Sequence, residues 1–188
     1  MWPRHLEFDM TKTNLIGTLA LCCVAFASST LHAQASSAAT DKQFLAMASQ
    51  SDYTEIKFSQ LAAEKASNAR VKAYAQKMST DHNMLEAAMK PFADKWGVAP
   101  NMTLDADHQA KYDALSAMSG TDFDKEYMKG MAADHHVALD AFKAEESATT
   151  DPEFKMTVSK GEKVVAEHTT MADKAAGMTS GAMPTSSM

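Results

Sequence analysis

The stretch "YMKGMAADHHVALDAF", residues 127–142, carries the pattern that decides the fold. Its apolar side chains recur at helical spacing and share one face: Tyr127, Met131, Ala138 and Phe142. A helix with such a face buries it against other helices. Asp134 and His135 nevertheless interrupt this face, at positions where a core helix would carry an aliphatic residue. The stretch therefore predicts a packed helix with a polar group inside the protein.

Composition limits the class of protein. The 188 residues are 45% hydrophobic and 22% charged, which suits one globular domain. Only 7 Gly and 5 Pro occur, so helix is favoured over sheet and loop. The formal net charge of -6 disfavours nucleic acid as a partner, because phosphate binding needs a positive surface.

The N-terminus has the pattern of a secretory signal peptide. Arg4 and Lys12 precede the apolar run of residues 15–27, and "AQA" at residues 33–35 offers a small-x-small cleavage site. We expect residues 1–35 to be removed after Ala35, with Ala33 as the alternative. Thirteen apolar residues are too few to anchor the protein in a bilayer. The sequence therefore predicts a periplasmic or secreted protein with no transmembrane anchor after cleavage.

Both cysteines, Cys22 and Cys23, lie inside this signal. A lipoprotein would need a small residue before its cysteine, and Leu21 disfavours that alternative. The mature chain then reaches an oxidising compartment without any disulfide, so packing alone must stabilise it.

Start and stop signals divide the mature chain into helices. "TDKQ" at residues 40–43 fits a capping box that opens the first helix, and Gly97 ends the second. Thr121 with Asp124 fits the start of a later helix, and Asp151 followed by Pro152 fits the start of the last one. The predicted long helices span residues 40–66, 69–96, 121–147 and 152–176, with a short helix within 103–120.

Four long helices with short connections predict an all-α fold, an antiparallel four-helix bundle with an additional short crossover helix. The bundle domain should cover residues 41–176. Residues 36–40 form a short linker to it, and the small, polar residues 177–188 are expected to be a disordered tail.

Each long helix carries one polar interruption on its apolar face: Glu55, His82, Asp134 with His135, and His168. Glu55 and His82 lie about 20 and 21 Å from the turn at Asn68, given about 1.5 Å per helical residue. Buried polar groups are costly unless they are paired or bind a metal. These five residues are therefore predicted to form one interior cluster that binds a transition metal such as copper, zinc or iron.

A family resemblance rests on three pieces of this sequence: Asp81-His82, Asp134-His135, and "FDKEYM" at residues 123–128. With them, residues 41–176 resemble the bacterial exported proteins of the domain-of-unknown-function 4142 family. The resemblance implies a ferritin-like helical bundle and an exported location. It implies no settled activity.

Two more specific kinds of metal site can be compared with this set of residues. A di-iron centre of the ferritin-like type needs Glu-x-x-His pairs, whereas the adjacent residues of Asp81-His82 point about 100° apart on a helix. That centre is disfavoured. A copper site assisted by thioethers is the other alternative, since each histidine has a methionine one turn away: Met78 for His82, Met131 for His135 and Met171 for His168.

The competing interpretation is a non-catalytic structural or stress-related envelope protein. Its polar residues would then be hydrogen-bonded core pairs, Glu55 with His82 and Asp134 with His168. The sequence has no nucleophile elbow, mature cysteine or phosphate-binding loop, so no catalytic residue is predicted. The protein partners stay unknown, and metal content separates the two interpretations.

Overall fold

A computed structural model describes the backbone of residues 20–180 and the side chains of residues 37–177. Five helices follow one another along this part of the chain, which contains no strand: α1 (Ala20–Lys65), α2 (Ala69–Trp96), α3 (Ala106–Ser116), α4 (Gly120–Ala148) and α5 (Pro152–Ser180). The all-α fold predicted from the sequence is confirmed. Four helices are long and α3 is the short crossover, consistent with a ferritin-like bundle.

The chain divides into two compact units, and the boundary falls within α1. The first unit, residues 1–36, contributes the beginning of α1 from Ala20 onward. The second unit begins at Ser37 and contains the described side chains of all four long helices.

The start of the first helix was predicted wrongly. The sequence indicated a cap at Thr40, but α1 runs without interruption from Ala20. No Gly or Pro occurs between Ala20 and Lys65, so nothing local stops the helix in the uncleaved chain. The Thr40 hydroxyl donates instead to the Ser37 carbonyl oxygen, three residues back and 2.7 Å away.

α2 begins and ends where the sequence indicates, and α5 begins where it indicates. Asn68 caps α2 by accepting from the Arg70 amide, and Gly97 closes the helix in the left-handed conformation at φ 70°. Asp151 accepts from the amides of Glu153 and Phe154 and so caps α5. These caps satisfy backbone donors and acceptors that a helix end leaves free.

Asp124 has a different function from the one predicted. α4 begins at Gly120, and its cap residue Ser119 makes no side-chain cap hydrogen bond. The buried Asp124 carboxylate accepts instead from the amides of Ser67 and Asn68, at 3.0 and 2.8 Å. One carboxylate therefore ties α4 to the turn between α1 and α2.

The core of the bundle contains two apolar clusters. Along each long helix, buried polar residues lie between a residue of one cluster and a residue of the other, and together they form a polar layer. One cluster includes Phe58, Met78, Met131 and Ala172. The other includes Ala48, Leu85, Phe142 and Val165. On all four long helices the residues between these positions include buried polar ones: Asp52, Thr54 and Glu55, Asp81 and His82, His135, and His168. This layer, near mid-length of the bundle, is where the fold places polar chemistry.

Some predictions concern residues beyond the described part of the chain. The charged start of the predicted signal peptide lies within residues 1–19, and most of the predicted tail lies within residues 181–188. α5 itself continues past Ala176 to Ser180. Within residues 20–180, no helix combines the length and apolar character that a membrane crossing requires.

Candidate metal centre

Three histidines from three helices meet in the polar layer. His82 of α2, His135 of α4 and His168 of α5 are 3%, 1% and 0% exposed. Their ring centroids lie 5.4 to 5.6 Å apart. One ring nitrogen of each lies within 4.8 Å of the corresponding nitrogen of the other two. We call these three residues the histidine triad.

One nitrogen on each ring of the triad is fixed by an acceptor. His82 Nδ1 lies 2.8 Å from Asp52 Oδ1, and His168 Nε2 lies 2.8 Å from Asp81 Oδ2. His135 Nδ1 donates to the Met131 carbonyl oxygen at 2.8 Å. An acceptor on one nitrogen sets the tautomer and the orientation of the ring, so the other nitrogen is left as the basic one.

The remaining three nitrogens have no hydrogen-bond partner among the described residues: His82 Nε2, His135 Nε2 and His168 Nδ1. All three are buried. A buried polar atom without a partner costs about 1–3 kcal/mol, so native proteins rarely carry three together. Buried imidazole nitrogens that are free to accept, on oriented rings as close together as these, are the ligands that a transition metal binds.

Glu55 lies beside the triad. Its Oε1 is 3.9 Å from His135 Nδ1, the nitrogen that donates to the Met131 carbonyl. Its Oε2 is buried and has no hydrogen-bond partner within the described part of the chain. Glu55 is not a member of the group of close ligand atoms that the three histidines form, but its Oε2 is a fourth unpartnered ligand atom in the same layer.

Asp134 lies farther out than the sequence suggested. Its side chain is 33% exposed, and its Oδ1 is 3.9 Å from Lys111 Nζ on α3. It lines a cavity together with Glu55 and His82. The structure therefore brings together His82, His135 and His168, places Glu55 next to them, and leaves Asp134 toward the surface.

The carboxylate partners of the histidines differ from the expected ones. Asp52, not Glu55, pairs with His82, and Asp81, not Asp134, pairs with His168. Asp52 lies three residues before Glu55 and so shares its helix face, which is the one sequence signal that could have identified it. Asp81 was singled out only as the neighbour of His82.

Charge interactions differ among the three imidazoles. Burial lowers the pKa of His135 to about 3, and the positive charges of His82 and His168 reinforce that shift. Burial also lowers the pKa of His168, against the opposing hydrogen bond to Asp81. For His82 burial acts in the same direction, but the Asp52 hydrogen bond and the charge of Glu55 outweigh it and raise the pKa.

The surrounding carboxyl groups respond to the same burial. Burial raises the pKa of Glu55 to about 8, against the attraction of His82. It raises the pKa of Asp52 as well, although the His82 hydrogen bond opposes it. Burial opposes ionisation of Asp81 too, but the hydrogen bonds from Lys77 and His168 outweigh it and lower that pKa. The layer therefore holds His135 neutral, which is the form of imidazole that can bind a metal.

Coordination requires a small contraction of the triad. Ligand nitrogens about 2.0–2.1 Å from a tetrahedral metal lie about 3.3 Å from one another. The triad nitrogens lie within 4.8 Å, so modest ring movements toward a common centre are needed.

A family model described as "Domain of unknown function (DUF4142)" matches residues 27–175, which is most of the chain. The chain therefore belongs to this family. No curated protein matches it.

Among solved structures, the chain is similar to the crystal structure of a DUF305 fragment from Deinococcus radiodurans. The identity is 14% and the TM-score is 0.66, and the match covers 74% of this chain and 96% of that one. A likeness at this identity bears on the fold alone.

Proposed function

We propose that this member of the DUF4142 family is an exported helical bundle that binds one transition-metal ion between His82, His135 and His168. One observation carries the proposal. Each imidazole of the triad has one nitrogen held by an acceptor and one buried nitrogen without a partner. In metal sites this is the usual division between the nitrogen that orients the ring and the nitrogen that binds the ion.

The ligand set selects a class of metal. Three imidazoles suit zinc, copper, iron and nickel, whereas calcium and magnesium take oxygen ligands. Among first-row divalent ions, copper binds a given nitrogen site most tightly. Met78 and Met131 are buried in the adjacent apolar cluster, so the thioether-assisted copper site stays part of the proposal. Three protein ligands also leave a position free for Glu55 or a small exogenous ligand.

The export proposal rests on the sequence. Arg4, Lys12, the apolar run of residues 15–27 and "AQA" at 33–35 support a secretory signal. Intact mass of protein recovered from outside the cytoplasm should correspond to a chain that begins at Ser36. Recovery of a chain that retains residues 15–27 would contradict it.

The structural interpretation is supported by two of the hydrogen bonds. Asp52–His82 joins α1 to α2, and Asp81–His168 joins α2 to α5, so both pairs fix the register of neighbouring helices. These bonds use only one nitrogen of each ring. The structural interpretation leaves the three unpartnered nitrogens without a function, whereas metal binding uses all of them.

Calorimetric titration of metal-free protein with copper and zinc tests the proposal. We expect one equivalent to bind the wild type, and none to bind the same site in a His82→Ala, His135→Ala double mutant. A His136→Ala variant is the control, because it removes an exposed histidine of α4 that lies outside the triad. Loss of the site in the control rather than in the triad mutant, or no binding by the wild type, contradicts the proposal.

A further inference from the structure

A cavity of about 210 Å³ runs along α1 and α4 and ends at the polar layer. Its apolar wall includes Met47, Val137 and Phe142. Met47 and Val137 are 40% and 70% exposed. Glu55 and His82 also line it. The cavity thus connects an exposed part of the surface with the residues of the candidate metal centre.

Carboxyl and imidazole groups line this cavity, and their side chains differ in solvent exposure. The side chains of Asp134 and His108 are 33% and 28% exposed. The side chains of Glu55 and His82 are each 4% exposed. The cavity therefore offers a hydrated cation a carboxylate and an imidazole near solvent, and a buried carboxyl group together with one histidine of the triad at its buried part.

The buried carboxylate has no other explanation in the structure. Glu55 is 3% exposed, its Oε2 lacks a partner, and it makes no hydrogen bond to the triad that would orient a ring. A carboxyl group placed only for stability would be expected to have its hydrogen bonds satisfied. An unpartnered ligand atom beside the triad and in the wall of an open cavity fits transient binding of a cation.

A second cavity serves as a comparison. It has a volume of about 290 Å³, lies along α1 and α2, and is lined by Asp52. Neither Glu55 nor any histidine of the triad lines it. Although this second cavity is the larger of the two, it reaches Asp52, the hydrogen-bond partner of His82, and not the triad itself.

We infer that the cavity along α1 and α4 is the route by which a hydrated divalent transition-metal cation reaches the triad. Asp134 is the carboxylate that attracts the cation at the mouth, and Glu55 is the carboxylate that transfers it to the histidines. Lys111, 3.9 Å from Asp134, is the positive group that the arriving cation must displace. The inference rests on the proposed function, and it makes the site one that exchanges metal with solvent.

Stopped-flow binding of Co²⁺ tests the route, because ligation by histidine gives Co²⁺ a visible absorption band. Val137→Trp fills the mouth and should lower the association and dissociation rates by the same several-fold factor, leaving Kd unchanged. Ala87→Trp is the matched control, because Ala87 lines the second cavity, and it should change neither rate.

Charge substitutions test the mouth independently of its size. Asp134→Asn should slow association about tenfold at low ionic strength, the lower end of electrostatic steering, and Lys111→Gln should speed it. Both differences should shrink at high salt, where charges are screened.

The outcomes separate the two proposals. If Co²⁺ binds the wild type and the mouth variants at the same rates, the route is wrong while the triad site stands. Equal slowing by Val137→Trp and Ala87→Trp overturns the route as well. Failure of the wild type to bind Co²⁺, copper or zinc overturns the triad site and the route together.

Discussion

Replacing His135 with leucine should stabilise the metal-free protein. His135 is 1% exposed, and its Nε2 is buried without a partner. Its other nitrogen donates to the Met131 carbonyl, which lies four residues earlier in α4 and also belongs to the backbone hydrogen-bond ladder of the helix. The substitution therefore removes an unsatisfied polar atom and leaves no charged group unpaired.

The magnitude follows from two opposing contributions. Removing a buried unsatisfied nitrogen should gain about 1–3 kcal/mol, and losing the hydrogen bond to the carbonyl should cost about 0.5–1.5 kcal/mol. The expected net gain is about 1 kcal/mol, or about 2–4 °C in Tm for a domain of this size. With metal at a hundred times Kd the order should reverse, because wild type then gains about 2.7 kcal/mol that the variant lacks.

Urea unfolding in chelator and in excess zinc measures both effects. His136→Leu is the matched control, since the neighbouring His136 side chain is 59% exposed and lies on the same helix. The control should change the free energy of unfolding by less than about 0.5 kcal/mol in either condition. A His135→Leu variant that is less stable than wild type in chelator by more than about 1 kcal/mol would refute the reasoning, because its imidazole would then be a satisfied part of the core.

Three further predictions concern the surroundings of the triad, a carboxyl pair and helix packing. Asp52→Asn should weaken metal binding about 10–100-fold without changing the stoichiometry, because Asp52 orients His82. Chelator competition measures the affinity, and an unchanged affinity would mean that this bond has no influence on the site. Burial, with the hydrogen-bonded Asp41 carboxyl, raises the pKa of Glu145 to about 8, so the folded state holds a proton that the unfolded state releases near pH 4.5. The free energy of unfolding should therefore fall as pH rises from about 4.5 to 8, and Glu145→Gln should flatten that dependence; an equally steep profile in the variant would contradict the assignment. Gly161→Ala should destabilise the protein by about 1–3 kcal/mol, because the added Cβ would lie 2.5 Å from a Phe142 ring carbon. Gly130→Ala should stabilise it by about 0.5–1 kcal/mol, because a Cβ there meets nothing within 4 Å. Equal effects of the two substitutions in thermal unfolding would be inconsistent with this packing.

Much of the fold could be predicted from local sequence. α2 spans Ala69–Trp96 as expected, because Asn68 and Gly97 give unambiguous cap signals. The histidines of the polar layer were identifiable because a polar residue on a periodic apolar face breaks a pattern that every helix repeats. Helical periodicity thus located His82, His135 and His168.

The parts that failed depend on tertiary contacts. The sequence near Asp124 predicts a cap of its own helix, but its carboxylate binds the turn at Ser67 and Asn68, 57 and 56 positions away in sequence. Which carboxylate pairs with His82 depends on how α1 is rotated and on its position along the bundle axis to within one helical turn. Counting residues from the turn at Asn68 is not accurate enough to distinguish Asp52 from Glu55. The start of α1 was misjudged because a favourable cap at Thr40 does not stop a helix that has residues able to continue it upstream.

The most direct test of metal binding at the triad is a crystal structure of protein loaded with zinc or copper, with anomalous scattering recorded at the edge of that metal. We expect one strong anomalous peak bonded to His82 Nε2, His135 Nε2 and His168 Nδ1 at about 2.0–2.1 Å. The same crystal shows whether Glu55 occupies a fourth position. Peaks only at surface pairs such as His108 with Asp105 or His136 with Asp173, and none between the three imidazoles, would contradict the proposed metal centre.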